Sequence, residues 1–459
     1  RVALAGKTAD TGGLSPFQII PPSSEWEAAL HNFRWLRHMR EAGTGLAAAH
    51  ARTLVSDWIR MHGRTIEGQT WDADTVAKRT IAWLQHSGTL LRDADLTFYR
   101  AFLRSLAYQI RYLRTVAKGL DEGEPRLRAR IALVFAALSL PVSSTRLSQA
   151  TRNLGRELER QILPDGIHIS RNPESVLELL TDLLPLRQTY ANQSETPPAP
   201  LVAAIERLLP ALRFFRHADG SLARFNGAGF AMQERIAAVL RYDESAGAPL
   251  SSAPHGGYQR LATGSVCLIA DTGKPPPSGA SQDAHAGCLS FEFSSGRHSW
   301  IVNGGVDRFG PGDFRPLSRT TAAHSTATVN DISSCRFASR GKLSNLAGTP
   351  ILSGPRHVPV NRQDSDDTQS FAASHDGYAA SAGLVHHRQI ALTHAGSVII
   401  GRDSFLTPSG KPLRPGSKAD VDIRFHLHPK IRMAVNSDGL IELTANRDDT
   451  WVFTCTEVA

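Results

Sequence analysis

Apolar residues recur every three or four positions from Trp26 to about Tyr242, and at every second position beyond about Gly256. The first period is that of a helix with one buried stripe, the second that of a strand with one buried face. In WEAALHNFRWLRHMREAG the spacing puts Leu30, Phe33 and Leu36 on one helical face and ends the element at Gly43. The same spacing runs through TVAKRTIAWLQHS, LTFYRAFLRSLAYQIRYLRTVAKGL and PRLRARIALVFAALSL, and through further segments up to ALRFFRH. Asp165-Gly166 reads as a turn, and Pro173 follows Asn172 as a first-turn proline. About eight amphipathic helices with short joints predict helical hairpins packed side by side. After the ESAGAPLSSAPHGG boundary, short alternating segments such as SVCLIAD, HSWIVNGG, VHHRQIAL and TWVFTC are punctuated by Gly, Pro, Asn and Asp, as in a sandwich. The pattern predicts a multidomain α+β chain, helical over 1–250 and an antiparallel β-sandwich over 251–459.

The segment SQDAHAGCLSFEF adds chemistry to that pattern. Leu289, Phe291 and Phe293 alternate with Ser290, Glu292 and Ser294, which predicts a strand with one buried face. His285 stands at the mouth of that strand, where a metal ligand, a base and a structural hydrogen-bonding residue are all open.

Length and composition narrow the classes. A chain of 459 residues exceeds the usual single core, so two domains are expected. No apolar run approaches the roughly 20 residues that span a bilayer. No signal peptide is visible at the start, though a removed leader would look the same, so bacterial periplasm and cytoplasm are both open. The net charge of +8 rests more on arginine than on lysine, which suits carboxylates, sulfates and phosphates. Without a zinc finger, an RRM-like signature or a basic block, nucleic acid is not the expected partner, and an acidic polysaccharide or oligosaccharide is. Cys267, Cys288, Cys335 and Cys455 match no zinc ribbon or redox pair and are expected to be buried free thiols.

Several segments carry a resemblance. LHNFRWL (30–36), WDADTVAKRTIAWL with Trp71, Arg79 and Trp83, RQILPDGIHISRNP, and the series DAHAGCLSFEF, WIVNGG and TAAHSTATVND together resemble the heparinase II/III-like polysaccharide lyases. The resemblance implies an incomplete (α/α) toroid of helical hairpins and an antiparallel β-sandwich, with the glycan in the groove between them. It implies β-elimination on a uronic acid, as in glycosaminoglycans, by a carbon–oxygen lyase. One group neutralises the C5 carboxylate, a base takes the adjacent proton, and an acid protonates the leaving oxygen.

Against that frame the chain departs at the chemistry. Glu124 and Pro125 stand where relatives carry Asn-His, and Ser175 and Val176 where they carry the catalytic Tyr and its His. The nearest tyrosine in sequence is Tyr190. The family's His-x-His-x-Asp becomes Asp283, His285 and Gly287. The resemblance then implies His285 or Asp283 as base and Arg79 or Arg171 as neutraliser. His31, Trp71, Trp83, Arg171, His387 and Arg388 become candidates to line the substrate site. It also implies a structural zinc on His285, Asn303 and His324; the other reading is a hydrogen-bonded His285–His324 pair. Three functions remain in play: a lyase, a glycan-binding protein that has lost elimination, and a hydrolase pairing Asp283 with Glu292 or Asp219.

Overall fold

The structure, a computed structural model, describes residues 1–243, 247–306, 314–338, 349–412, 419–446 and 449–456. The chain divides into two compact units, one holding residues 1–162 and 178–206, the other 163–177 and the described residues from 207 onward.

The first unit opens with a hairpin of β1 (Val2–Leu4) and β2 (Lys7–Ala9). Helices follow: α1 (Ser24–His31), α2 (Leu36–Ala42), α3 (Gly45–His62), α4 (Ala73–Gln85), α5 (Ser87–Leu91), α6 (Leu96–Val116), α7 (Glu124–Ser139) and α8 (Ser144–Gln161). Their starts are written in the sequence. Ser23, Thr44, Asp72 and Asp95 each accept a hydrogen bond from a first-turn backbone N–H, of Trp26, Ala47, Asp74 and Phe98 respectively. α9 (Pro173–Asn192) and α10 (Ala199–Phe214) are each divided between the units.

The single helix expected over 26–43 is in fact two. Phe33 adopts φ +59° between α1 and α2, and Gly43 closes α2 at φ +64°. The break turns the Phe33 ring into the core, 5.5 Å from Trp83 and 6.1 Å from Trp58. α4 is buried nearly all round, so its polar residues Arg79 and Thr80 are interior. A second interior cluster joins Arg128 to Asp182 (3.0 Å), Glu124 (3.1 Å) and Asp74, while Arg34 pairs with Asp182 and Glu178.

The second unit carries α11 (Gln233–Leu240) and antiparallel sheets. The largest orders β3 (Ser252–Ala253), β4 (Tyr258–Thr263), β5 (Val266–Asp271), β6 (Phe291–Ser295) and β7 (His298–Ile301) as consecutive neighbours. Two-stranded pairings follow: β8 (Ala327–Val329), which pairs with residues Val421–Ile423, and β9 (Arg336–Phe337) with β10 (Ile351–Ser353). A four-stranded meander contains β11 (Val360–Asp364), β12 (Thr368–His375), β13 (Val385–Thr393) and β14 (Val398–Leu406). The rest is β15 (Val421–Ile423) and a three-stranded sheet of β16 (Arg432–Val435), β17 (Ile441–Asn446) and β18 (Asp449–Phe453). Leu268, Phe291 and Phe293 from the first large sheet meet Phe371, Ile390 and Leu392 from the meander in one apolar core, which is the layering of a sandwich.

β6 differs from its expected half-exposed form. Its apolar side enters the sandwich core, but Ser290, Glu292 and Ser294 are buried as well. The segment around His217 covers that side and supplies the partners that make burial of its polar groups tolerable. The four cysteines are free; three are buried as expected, and Cys455 is exposed.

Candidate functional site

The loop 281–289 is fixed from several sides. Arg319 donates to the carbonyls of Ser281 (3.0 Å) and Ala284 (2.8 Å), and Thr321 Oγ1 donates to that of Ala286 (2.8 Å). The backbone N–H of His285 donates to Asn226 Oδ1 at 3.3 Å. Asn226 in turn donates through Nδ2 to Tyr258 Oη (2.7 Å) and Asp271 Oδ2 (3.0 Å). The loop therefore holds His285 inside and leaves Gln282 and Asp283 outside.

Hydrogen-bond logic assigns the protons on the histidine pair. His324 Nδ1 lies 2.7 Å from the Thr320 carbonyl, which can only accept, so Nδ1 carries the hydrogen. Burial lowers the pKa of His324 to about 4 and pushes His285 well below its ordinary value, so both rings are neutral near pH 7. His324 Nε2 is then an acceptor, and His285 Nδ1, 2.9 Å away, donates to it. That leaves His285 Nε2 as a bare lone pair, buried and without a partner among the described residues. Gly287 makes room for this arrangement: a Cβ there would stand 2.9 Å from His324 Cδ2. The ring of His324 occupies the space that a side chain at position 287 would enter.

This set does not suit zinc. Asn303 is fully buried, and its Oδ1 already accepts from the Ser325 N–H at 3.0 Å. The remaining donors are two neutral imidazoles that share one proton with each other, and no anionic ligand offsets a buried dication. Among the described residues no three His, Cys, Asp or Glu side chains converge as a metal site. Glu292 is engaged elsewhere. It accepts from His217 Nε2 (3.0 Å) and from the N–H groups of Arg224 and Asn303 (3.0 Å each), while His217 Nδ1 contacts Ser294 Oγ at 3.0 Å. Burial alone would lower the pKa of His217, but contacts with Cys267 and Glu292 raise it to about 9. The result is a buried ion pair with its hydrogen-bonding capacity filled.

Asp283 is exposed and pairs with Arg315, itself exposed. The sequence reading did not include Arg315, which lies 32 positions away with no local signal, or Asn226, whose role depends on the fold.

The other expected site residues occupy interior positions. Arg171 donates to the carbonyls of Gly256 (2.7 Å), Lys274 (2.8 Å) and Gly257 (3.0 Å) and to Asp271 (2.5 Å). Burial alone would lower its pKa, and Asp271 beside it more than offsets this. In the first unit, Arg79 is fully buried. It donates to Gln109 Oε1 (2.8 Å) and to the carbonyls of His31 and Thr70 (2.9 Å each), with its guanidinium 4.0 Å from the centre of the Trp58 ring. His31 accepts from Trp58 Nε1 at 3.0 Å, and burial takes its pKa to about 3. Trp83 is wholly in the core, and Trp71 is buried with its Nε1 donating to the His62 carbonyl at 2.9 Å. These five side chains form interior frameworks; among the described residues only Arg79 Nη2 and Trp83 Nε1 of their buried polar atoms lack a hydrogen-bond partner.

Arg388 and His387 part company. Arg388 is buried, paired with Asp403 at 2.7 and 3.0 Å and donating to the carbonyls of Leu289 and Ser325. His387 lies on the opposite side of β13, away from the loop that holds His285. At the altered positions, Glu124 bonds to Arg128, and Ser175 is buried with its Oγ 3.1 Å from Ser170 Oγ. Tyr190 is buried and bonded to Thr151 at 2.7 Å.

Comparison with known proteins agrees with the segments that carried the resemblance. Residues 245–459 match the domain described as heparinase II/III-like, C-terminal. FtsZ-localized protein C of Caulobacter vibrioides (strain NA1000 / CB15N) is 30% identical over 427 residues, spanning 92% of this chain and 73% of that protein. The crystal structure of heparinase III superposes with a TM-score of 0.73 at 14% identity, over 97% of this chain and 72% of that one. A heparan sulfate lyase HepC mutant from Pedobacter heparinus gives 0.62 at 16% identity, over 94% and 69%. The helical hairpins and antiparallel sheets are therefore those of an (α/α) toroid with a β-sandwich.

Proposed function

We propose a function from one premise: the chain belongs to the heparinase II/III-like family. It is a polysaccharide-lyase-like protein that binds an acidic, uronic-acid-containing polysaccharide and does not cleave it. One observation carries this reading. The side chains expected as neutraliser and buried base, Arg79, Arg171 and His285, are committed to internal bonds or sealed from solvent, and Ser175, at the position of the catalytic Tyr, is buried. Elimination through these groups needs at least one of them free to touch a sugar.

The test is a panel of uronate polymers (heparin, heparan sulfate, alginate, glucuronan and pectic polymers) read in two ways. Binding to at least one polymer is expected, with no growth of the ultraviolet absorbance that marks an unsaturated uronate. Steady growth of that absorbance would overturn the binding-only reading.

The exposed Asp283–Arg315 pair supports a second reading. In it Arg315 neutralises the C5 carboxylate and Asp283 takes the C5 proton. The electron pair forms the C4–C5 double bond as the C4–oxygen bond breaks, and solvent protonates the leaving oxygen. Asp283→Asn would then abolish the absorbance signal. Hydrolysis has less support, because Glu292 is buried against three donors and Asp219 accepts from Ser221 and Ser299.

The likeness to FtsZ-localized protein C adds a cellular setting to the proposal, association with FtsZ. A fluorescent fusion in an FtsZ-containing cell tests it: overlap with FtsZ is expected, and a uniform distribution would remove this part.

A further inference from the structure

The outer face of the four-stranded meander carries several polar side chains that bond to nothing among the described residues. Across β11 to β14, Asn361, Ala372, Gln389 and Arg402 stand opposite one another in register, and Ser374, His387 and Ser404 form the next row. β12 contributes only small side chains to these rows, while its neighbours contribute long ones. The surface therefore sinks along β12 and rises on both sides, forming an open groove with a volume of about 440 Å³. That volume lies within the roughly 300–1,000 Å³ usual for small-ligand sites.

Among the described residues, Asn361, His387, Gln389 and Arg402 have no side-chain hydrogen bond or ion pair. No carboxylate lines the cavity. Asp403, the acidic neighbour of Arg402, points to the other face, where Arg388 and His386 hold it. The groove thus offers a free guanidinium, two free amides and two hydroxyls. Arginine of this kind pairs with a carboxylate through two parallel bonds, and amides and hydroxyls match the hydroxyls of a sugar ring. An apolar ligand would leave those groups unpaired at a cost. An extended peptide would need a sheet edge for backbone pairing, and the groove lies on a sheet face.

We propose that this groove is a binding site for one carboxylate-bearing sugar residue, set on the opposite face of the sheet from the loop that holds His285. It rests on the reading of the chain as a binder of acidic polysaccharide and supplies that reading with a second point of attachment.

Free glucuronate is the probe for the groove, titrated into the full chain and followed by ligand-observed NMR, with glucose and penta-glutamate as comparisons. Wild type binds glucuronate and neither comparison. Arg402→Ala weakens binding roughly tenfold or more, the usual consequence of losing a charge-assisted pair. Gln389→Ala weakens it by a smaller factor, and neither change lowers the melting temperature. Wild-type affinity in Arg402→Ala, or penta-glutamate bound as well as glucuronate, overturns the assignment. A chain that binds uronate polymers with no dependence on Arg402 loses the groove and keeps the proposed function. Binding of glucuronate that depends on Arg402, in a chain that binds no polymer, keeps the groove and removes the proposed function.

Discussion

Arg388 and His387 are consecutive in the chain, yet the pleat of β13 sends one into the interior and the other onto the open face. Arg388 is filled: two bonds to Asp403 and one each to two backbone carbonyls. His387 has none among the described residues. The same division runs through the rest of the chain. Arg79, Arg171, His217 and Glu292 are rich in chemistry and bonded within the fold. Asp283, Arg315 and Arg402 are exposed, and the last bonds to nothing among the described residues. In this protein the polar groups that resemble a family's machinery are mostly structural, and those left for ligands lie elsewhere.

The sharpest way to break that division is Arg388→Ala. It would leave the largely buried Asp403 carboxylate with His386 as its remaining partner and take one donor from each of two carbonyls, so a loss of about 3–5 kcal/mol in urea unfolding is expected. Arg79→Ala comes next, at about 3 kcal/mol, since it removes three bonds and leaves a cavity under Trp58. A change below about 0.5 kcal/mol for Arg79→Ala, together with weaker glycan binding, would return that residue to the substrate site.

Stability against pH tests the interior pairs as a group. The folded pKa of His217 is raised to about 9, so its contribution is complete below 6.5 and is lost as pH climbs through about 9. His31, His86 and His324 are depressed to about 3, 4 and 4. The unfolded chain therefore binds protons that the folded one refuses, and stability falls as pH drops below 6.5. Denaturant midpoints should peak between the two limbs. A midpoint that held steady from pH 7 to 10 would mean that His217 does not carry its charge in the fold.

The outline of the fold was open to reading because periodicity reports burial, and burial is what the two units are built on. The switch from a helical to an alternating period near residue 250 was visible in the apolar residues alone. Phe33 shows where this stops: its place on a helical stripe is also its place in the core, and only the backbone break at φ +59° tells how it gets there. For the site, local motifs singled out the loop around His285 but said nothing of whether its polar groups were free. That depends on partners such as Asn226, Arg319 and Thr320, which come from distant segments. The groove was missed for a related reason. Asn361, Gln389 and Arg402 have no shared spacing, and only the register of four strands brings them into one row.

Removing metal and removing His387 are the two changes expected to do least. The two rings satisfy each other as a hydrogen-bonded pair, so a strong chelator should leave the melting temperature within about 1 °C, and a larger drop would restore the zinc reading. His387→Ala is the finer probe, because it sits one residue from the largest predicted loss. It breaks no bond within the fold and opens no buried space, so its stability should stay within about 0.5 kcal/mol of wild type. If it fell as far as Arg388→Ala, the outer face would be carrying structure, and the case for a free binding groove would go with it. A neutral effect on folding, with weakened glucuronate binding, would place the division between framework and ligand surface at a single peptide bond.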